Sequence, residues 1–71
     1  MFNTERVKQV LAIEGRTRKW LAAKCGVTVQ SITQYLLGHR QPQKPVIILM
    51  AQALGCRPEE LDNEIENLQV S

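Results

Sequence analysis

The stretch Arg18–Leu37, RKWLAAKCGVTVQSITQYLL, constrains the fold of this chain more than any other part of it. It holds two short apolar stripes, one on each side of Cys25-Gly26-Val27. Leu21, Ala22 and Cys25 recur at i, i+1 and i+4, and Ile32, Tyr35 and Leu36 at i, i+3 and i+4. The second spacing is that of one helix face, and the first is a shorter version of it. Gly26 stands where a chain turning between two helices needs a left-handed residue, a conformation glycine takes without steric cost. Thr28 follows as an N-cap whose hydroxyl oxygen can accept an orphan backbone N–H. The pattern is that of a helix-turn-helix.

The rest of the chain reads as further helices around that unit. Residues 3–14 carry a stripe of Val7, Val10 and Leu11, with Asn3 or Thr4 as cap, Glu5 at the positive end and Gly15 as stop. Phe2 is placed to pack back on the first turn. Thr17 caps a second helix over about 18–25, and the third runs over about 28–37 to Gly38. His39 to Lys44 is a loop broken by Pro42. Pro45 fits the first turn of a fourth helix, about 45–54, which is apolar almost all round and expected to be the most buried element. Pro58, with Glu59 and Glu60 behind it, opens a fifth. Leu61, Ile65 and Leu68 keep an i, i+4, i+7 stripe that carries this helix towards residue 69, although chain ends also fray. The expected fold is therefore all-α, a compact five-helix domain over residues 1–63, with 64–71 as a tail or an extension of the fifth helix.

Composition excludes more than it identifies. With 71 residues the chain forms one domain with little area to bury, so support from a partner subunit is in keeping with its size. No apolar run approaches the roughly 20 residues of a membrane helix. Phe2–Glu14 is too polar for a signal peptide, which points to the cytoplasm. Cys25 and Cys56 lie far apart in apolar settings, without metal-ligand spacing, and read as buried free thiols. His39 is a lone histidine in a loop. No nucleophile–base pair, phosphate-cradling loop or carboxylate pair is present, so no enzyme activity, metal or cofactor is expected.

Charge is informative through its distribution. Residues 1–44 carry eight basic side chains against Glu5 and Glu14, a balance of +6, and residues 45–71 balance at −4. A basic half enclosing the motif is the footprint of a nucleic-acid binder, with the acidic half turned away from phosphates. The far face of the third helix carries Gln30, Thr33, Gln34 and Leu37 and no charge. A solvated face is usually charged, whereas Gln offers the paired donor and acceptor that match the N6/N7 edge of adenine. Such a face bordered by Arg and Lys suits the floor of a major groove, with the cations at its phosphate walls. Trp20 lies off the stripe of its helix, where it either covers an edge of the core or turns its indole N–H to a phosphate.

Five short helices with the motif in the second and third resemble the lambda-repressor-like, Xre/Cro family of DNA-binding domains. The resemblance covers about residues 5–62 and is carried by Leu21-Ala22, Gly26-Val27, Ile32, Gly38 with Arg40 and Pro42, and the run from Leu49 through Ala53-Leu54-Gly55 to Pro58-Glu59-Glu60-Leu61. It implies base-reading positions at Arg18, Val29, Gln30 and Gln34. It implies backbone contacts near Ser31, Arg40 and the start of the second helix, with Thr17 and Lys19, and Thr33 and Lys44 are expected to add to them. Arg18 replaces the family's common Gln, exchanging a Gln-mediated bond for a stronger, salt-sensitive phosphate contact. Leu36 replaces a common acid and Leu37 a polar residue, so that Leu37 is placed to meet a thymine methyl or a partner. Arg57 replaces the usual Ser or Thr cap, which implies a less firmly started fifth helix.

These readings converge on a sequence-specific transcription regulator, a repressor of phage type, that binds double-stranded DNA as a homodimer on a pseudo-palindrome without a small-molecule ligand. The alternative is an antitoxin- or antirepressor-like protein that works mainly by gripping another protein, motivated by Leu37 and the Leu61, Ile65 and Leu68 stripe.

Overall fold

A computed structural model describes residues 2–62. Five helices follow one another: α1 (Thr4–Glu14), α2 (Arg18–Cys25), α3 (Val29–Leu37), α4 (Lys44–Leu54) and α5 (Pro58–Leu61). No strand occurs among the described residues. The first three helices start where a side chain meets an orphan amide. Asn3 Oδ1 accepts from the Arg6 N–H, Thr17 Oγ1 from that of Trp20 and Thr28 Oγ1 from that of Ser31, each at 3.0 Å. α4 has no side-chain cap and relies on Pro45 in its first turn, with Lys44 drawn out of the loop to become its first residue. At α5 the Glu60 carboxylate reaches back to accept the Arg57 N–H at 3.3 Å, which serves the end that Arg57 cannot cap itself.

Packing follows the stripes. Val7, Leu21, Ile32, Ile47, Met50 and Leu61 form the fully buried centre. α2 packs against both α3 and α4, while α1 packs against α3, α4 and α5. α4 contributes Ile47, Met50, Ala51 and Leu54, yet its Leu49 remains exposed. Pro42 is buried and pins the loop between α3 and α4 to the body of the domain. Trp20 is half-buried and packs on the core, in keeping with a cover for its edge, and the Arg16 guanidinium lies 4.6 Å from the centre of its ring. Cys25 is buried as expected, whereas Cys56 is only half-buried, because it follows the α4 stop instead of lying on a stripe.

The end of the fifth helix differs from the expectation. α5 stops after Leu61, because Asp62 turns extended (φ −153°, ψ 106°) and pairs with Phe2 in an isolated antiparallel bridge. The Asn3 N–H donates to the Leu61 carbonyl in the same seam. Phe2, buried with the core, thus ties the start of the described chain to its end. The seam aims Leu61 inward, where it is 0% exposed. Leu61 is therefore a core residue and not an exposed partner contact. Ile65 and Leu68 lie outside the described residues, as does the segment 64–71.

Two substitutions test this account. Gly26 sits at φ 70° and ψ 28°, and a Cβ added there meets nothing within 4 Å, so Gly26→Ala is strained by its backbone alone. It should lower unfolding stability in urea by about 1–2 kcal/mol. Gly26→Asn should lose less, because Asn tolerates the left-handed region. Leu61→Ala should cost about 2–5 kcal/mol as a buried large-to-small change. That loss should not depend on protein concentration, whereas a residue serving only a partner would leave the monomer's stability unchanged.

Candidate nucleic-acid interface

The burial of Ile32, Tyr35 and Leu36 sets the rotation of α3 about its axis. At about 100° per residue, Gln30, Thr33, Gln34 and Leu37 are then swung to the opposite side. Thr28, Val29, Gln30, Ser31, Thr33, Gln34 and Arg40 line one open concavity of about 440 Å³. Val29 is 42% exposed and Leu37 57%, so the apolar members of this face are also presented to solvent. Leu36, in contrast, is buried and completes the core.

The sides of the face carry the cations. Arg18 Nη1 lies 3.4 Å from Thr33 Oγ1 and bridges from the start of α2 to the outer face of α3. Arg40 holds its guanidinium 5.6 Å from the centre of the Tyr35 ring, which keeps it beside the last turn of α3. Thr17 uses its oxygen to cap α2, so its hydroxyl proton remains available to an external acceptor. Ser31 accepts a bond at 3.1 Å from the Thr28 hydroxyl and likewise keeps its own proton to donate. Lys19 and Lys44 are exposed, in the first turns of α2 and α4.

Ion pairing separates the basic residues into two groups. Arg6 is held by Glu60 at 3.0 Å and Lys8 by Glu5 at 4.0 Å. Arg16, Arg18, Lys19, Lys24, Arg40, Lys44 and Arg57 meet no acid within ion-pair distance among the described residues. Except for Arg57 at the start of α5, these unpaired cations belong to α2, to the turn before it, to the loop after α3 and to the first residue of α4. The acids Glu59 and Glu60 sit on α5, which packs against α1 and α4.

No group of three or more His, Cys, Asp and Glu side chains capable of holding a metal ion occurs among the described residues. Burial pushes the Cys25 thiol up. It does the same at Cys56, where Glu60 adds to the rise and Arg6 opposes it. Neither environment favours a nucleophilic thiolate. No helix among the described residues is long and apolar enough to cross a membrane.

The model of a helix-turn-helix family of the Cro/C1, Xre or lambda-repressor-like type matches residues 7–61. The chain belongs to this family. It is thus a DNA-binding regulator of the Xre/Cro type, built on the family's all-α domain. No curated protein and no solved structure matches the chain.

Most of the positions singled out in the sequence come together on one side of the motif. Val29, Gln30, Ser31, Thr33, Gln34 and Arg40 share the concavity, and Arg18 is joined to it through Thr33. Sequence reasoning missed two residues. Arg16, stacked on Trp20, adds a cation beside the start of α2, and its signal was the i, i+4 spacing of the pair. His39, set aside as a lone histidine, places Nδ1 3.3 Å from Gln34 Oε1.

The ion-pair pattern predicts a separation of effects. Lys19→Ala should lower the slope of log affinity for duplex DNA against log salt by about one, while leaving thermal stability unchanged. Arg6→Ala should do the reverse, costing about 0.2–1 kcal/mol in stability and leaving the salt slope intact.

Proposed function

We propose that this chain is a sequence-specific repressor that lays α3 in the major groove and occupies promoter DNA. The observation that carries the reading is the uncharged, hydrogen-bonding face of α3 gathered in one concavity and flanked by unpaired cations. α3 has nine residues and is therefore about 14 Å long, comparable to the roughly 12 Å width of the groove. Gln30 and Gln34 lie one turn apart, about 6 Å, a span of about two base-pair steps. Both would read base edges, Gln30 as the partner of an adenine. Val29 and Leu37 would meet apolar groups such as the thymine methyl. Arg18, Thr17, Lys19, Ser31, Thr33, Arg40 and Lys44 would hold the phosphates and fix the register.

One such face covers too few bases for tight specificity, so the proposed operator is a pseudo-palindrome bound by a homodimer. Its half-sites would lie about 34–36 Å apart, one turn of the duplex. Residues 1–63 would form the DNA-reading domain of a cytoplasmic protein, with 64–71 as an addition to it. The rival reading, an antitoxin- or antirepressor-like protein, loses Leu61 to the core and among the described residues rests on exposed Leu37.

Selection of bound duplexes from a random pool tests the proposal. The enriched sites should show two-fold symmetry, and Gln30→Ala should relax preference at one position per half-site by about 1–3 kcal/mol. A chain that binds every duplex equally at low salt is not a sequence-specific repressor. Enriched sites without symmetry would exclude the dimer.

A further inference from the structure

The loop leaving α3 folds back onto the reading face. Gly38 is left-handed at φ 81°, its N–H donates to the Tyr35 carbonyl at 3.1 Å, and the His39 N–H donates to the Gln34 carbonyl at 3.0 Å. These are the two bonds of a Schellman turn, which lays the second residue beyond a helix over a residue in its last turn. The residues that meet in this way are frequently apolar. Here they are His39 and Gln34, with Nδ1 3.3 Å from Oε1.

An amide oxygen only accepts, so this contact is a hydrogen bond when His39 carries its proton on Nδ1 and donates from it. The Gln34 amide is thereby turned with its oxygen to the loop, and its NH₂ is the end left for a base. A free glutamine matches adenine by accepting from N6–H₂ through its oxygen while donating to N7. Guanine presents only acceptors at the same edge, N7 and O6, and asks nothing of the amide oxygen.

We propose that His39 is a specificity-determining positioning residue. By holding Gln34 Oε1 it makes Gln34 present a donor, and it moves the preference of that position from adenine to guanine. The inference rests on the reading of α3 as the groove helix with Gln34 at a base edge. Gln30, which has no such neighbour among the described residues, keeps the adenine preference.

The test is selection from a random duplex pool with the full chain and three variants: Gln34→Ala, His39→Ala and His39→Asn. The His39 side chain is exposed and its backbone bond survives substitution, so the variants should fold. The parent chain should enrich guanine at the position where Gln34→Ala loses all preference. His39→Ala should shift the guanine-to-adenine ratio there by about fivefold or more towards adenine. His39→Asn, whose amide N–H₂ stands close to the place of Nδ1–H, should restore guanine. An unchanged ratio in His39→Ala, or a uniform loss of affinity as for a phosphate contact, would overturn the proposal. So would adenine already favoured by the parent chain. A parent chain that enriches no sequence at all would overturn the reading of α3 itself, and the His39 step with it.

Discussion

The proposed reading face of α3 depends on the burial of Ile32, Tyr35 and Leu36 against α1 and α2. An exposed face cannot hold its own orientation in water, so its geometry must be inherited from the buried side of the same helix. Ile32 and Leu36 are almost wholly removed from solvent, each worth about 1.5–3 kcal/mol of transfer free energy. Rotating α3 by one residue, about 100°, so that Ser31, Gln34 and Tyr35 take the inner positions would expose both of them and bring Ser31 and Gln34 inward. Two polar side chains would then need buried partners that the apolar core does not supply. That penalty fixes the register of Gln30 and Gln34. The left-handed turn at Gly26 and the Thr28 cap set only where α3 begins.

The same packing also arranges the charges. Asp62 is buried, and the separation of the exposed acids of α5 from the cations comes from helix order. α5, which packs against α1 and α4, carries Glu59 and Glu60, and Glu60 pairs with Arg6 of α1. Both partners of that pair are well exposed, with side chains 40% and 42% accessible, so it contributes little stability. Its consequence is electrostatic. Glu60 is held beside a basic residue of α1, which offsets its charge.

Much of this was legible in the sequence because it is local. Stripes such as Leu21, Ala22 and Cys25, caps such as Thr17 and Thr28, and the stops at Gly26 and Gly38 are each decided within a few residues. The cluster of Val29, Gln30, Thr33 and Gln34 follows from the same periodicity, which is why so many members of the candidate site could be named before the fold was seen. What escaped was decided over longer range or by turn geometry. The stripe through Leu61 has helical spacing, but the chain turns extended at Asp62 because Phe2, about 60 residues earlier, offers a backbone to pair with. His39 looked isolated because its partner lies five residues back, a separation that meets only when the helix ends in a Schellman turn. Gly38 carries that signal, because a left-handed residue that stops a helix also lays the residue after it over the last turn.

The neutrality of the reading face also has a physical cause. Docking a helix into a groove expels water from its outer surface, and a charged side chain there would lose hydration that no single base edge returns. Gln, Thr and Ser lose less and regain it through direct bonds. Val29 and Leu37, held out in water at a small cost, gain by leaving it. Cations face the opposite balance: phosphates lie at the wetted margins of the groove, where Arg18, Lys19 and Arg40 can release counterions without being fully buried. A neutral centre with cationic margins is therefore the arrangement that desolvation favours. Leu36, near the end of α3, adds an apolar group to the core and no charge. The last turn is then free of negative charge where Gln34, His39 and Arg40 meet.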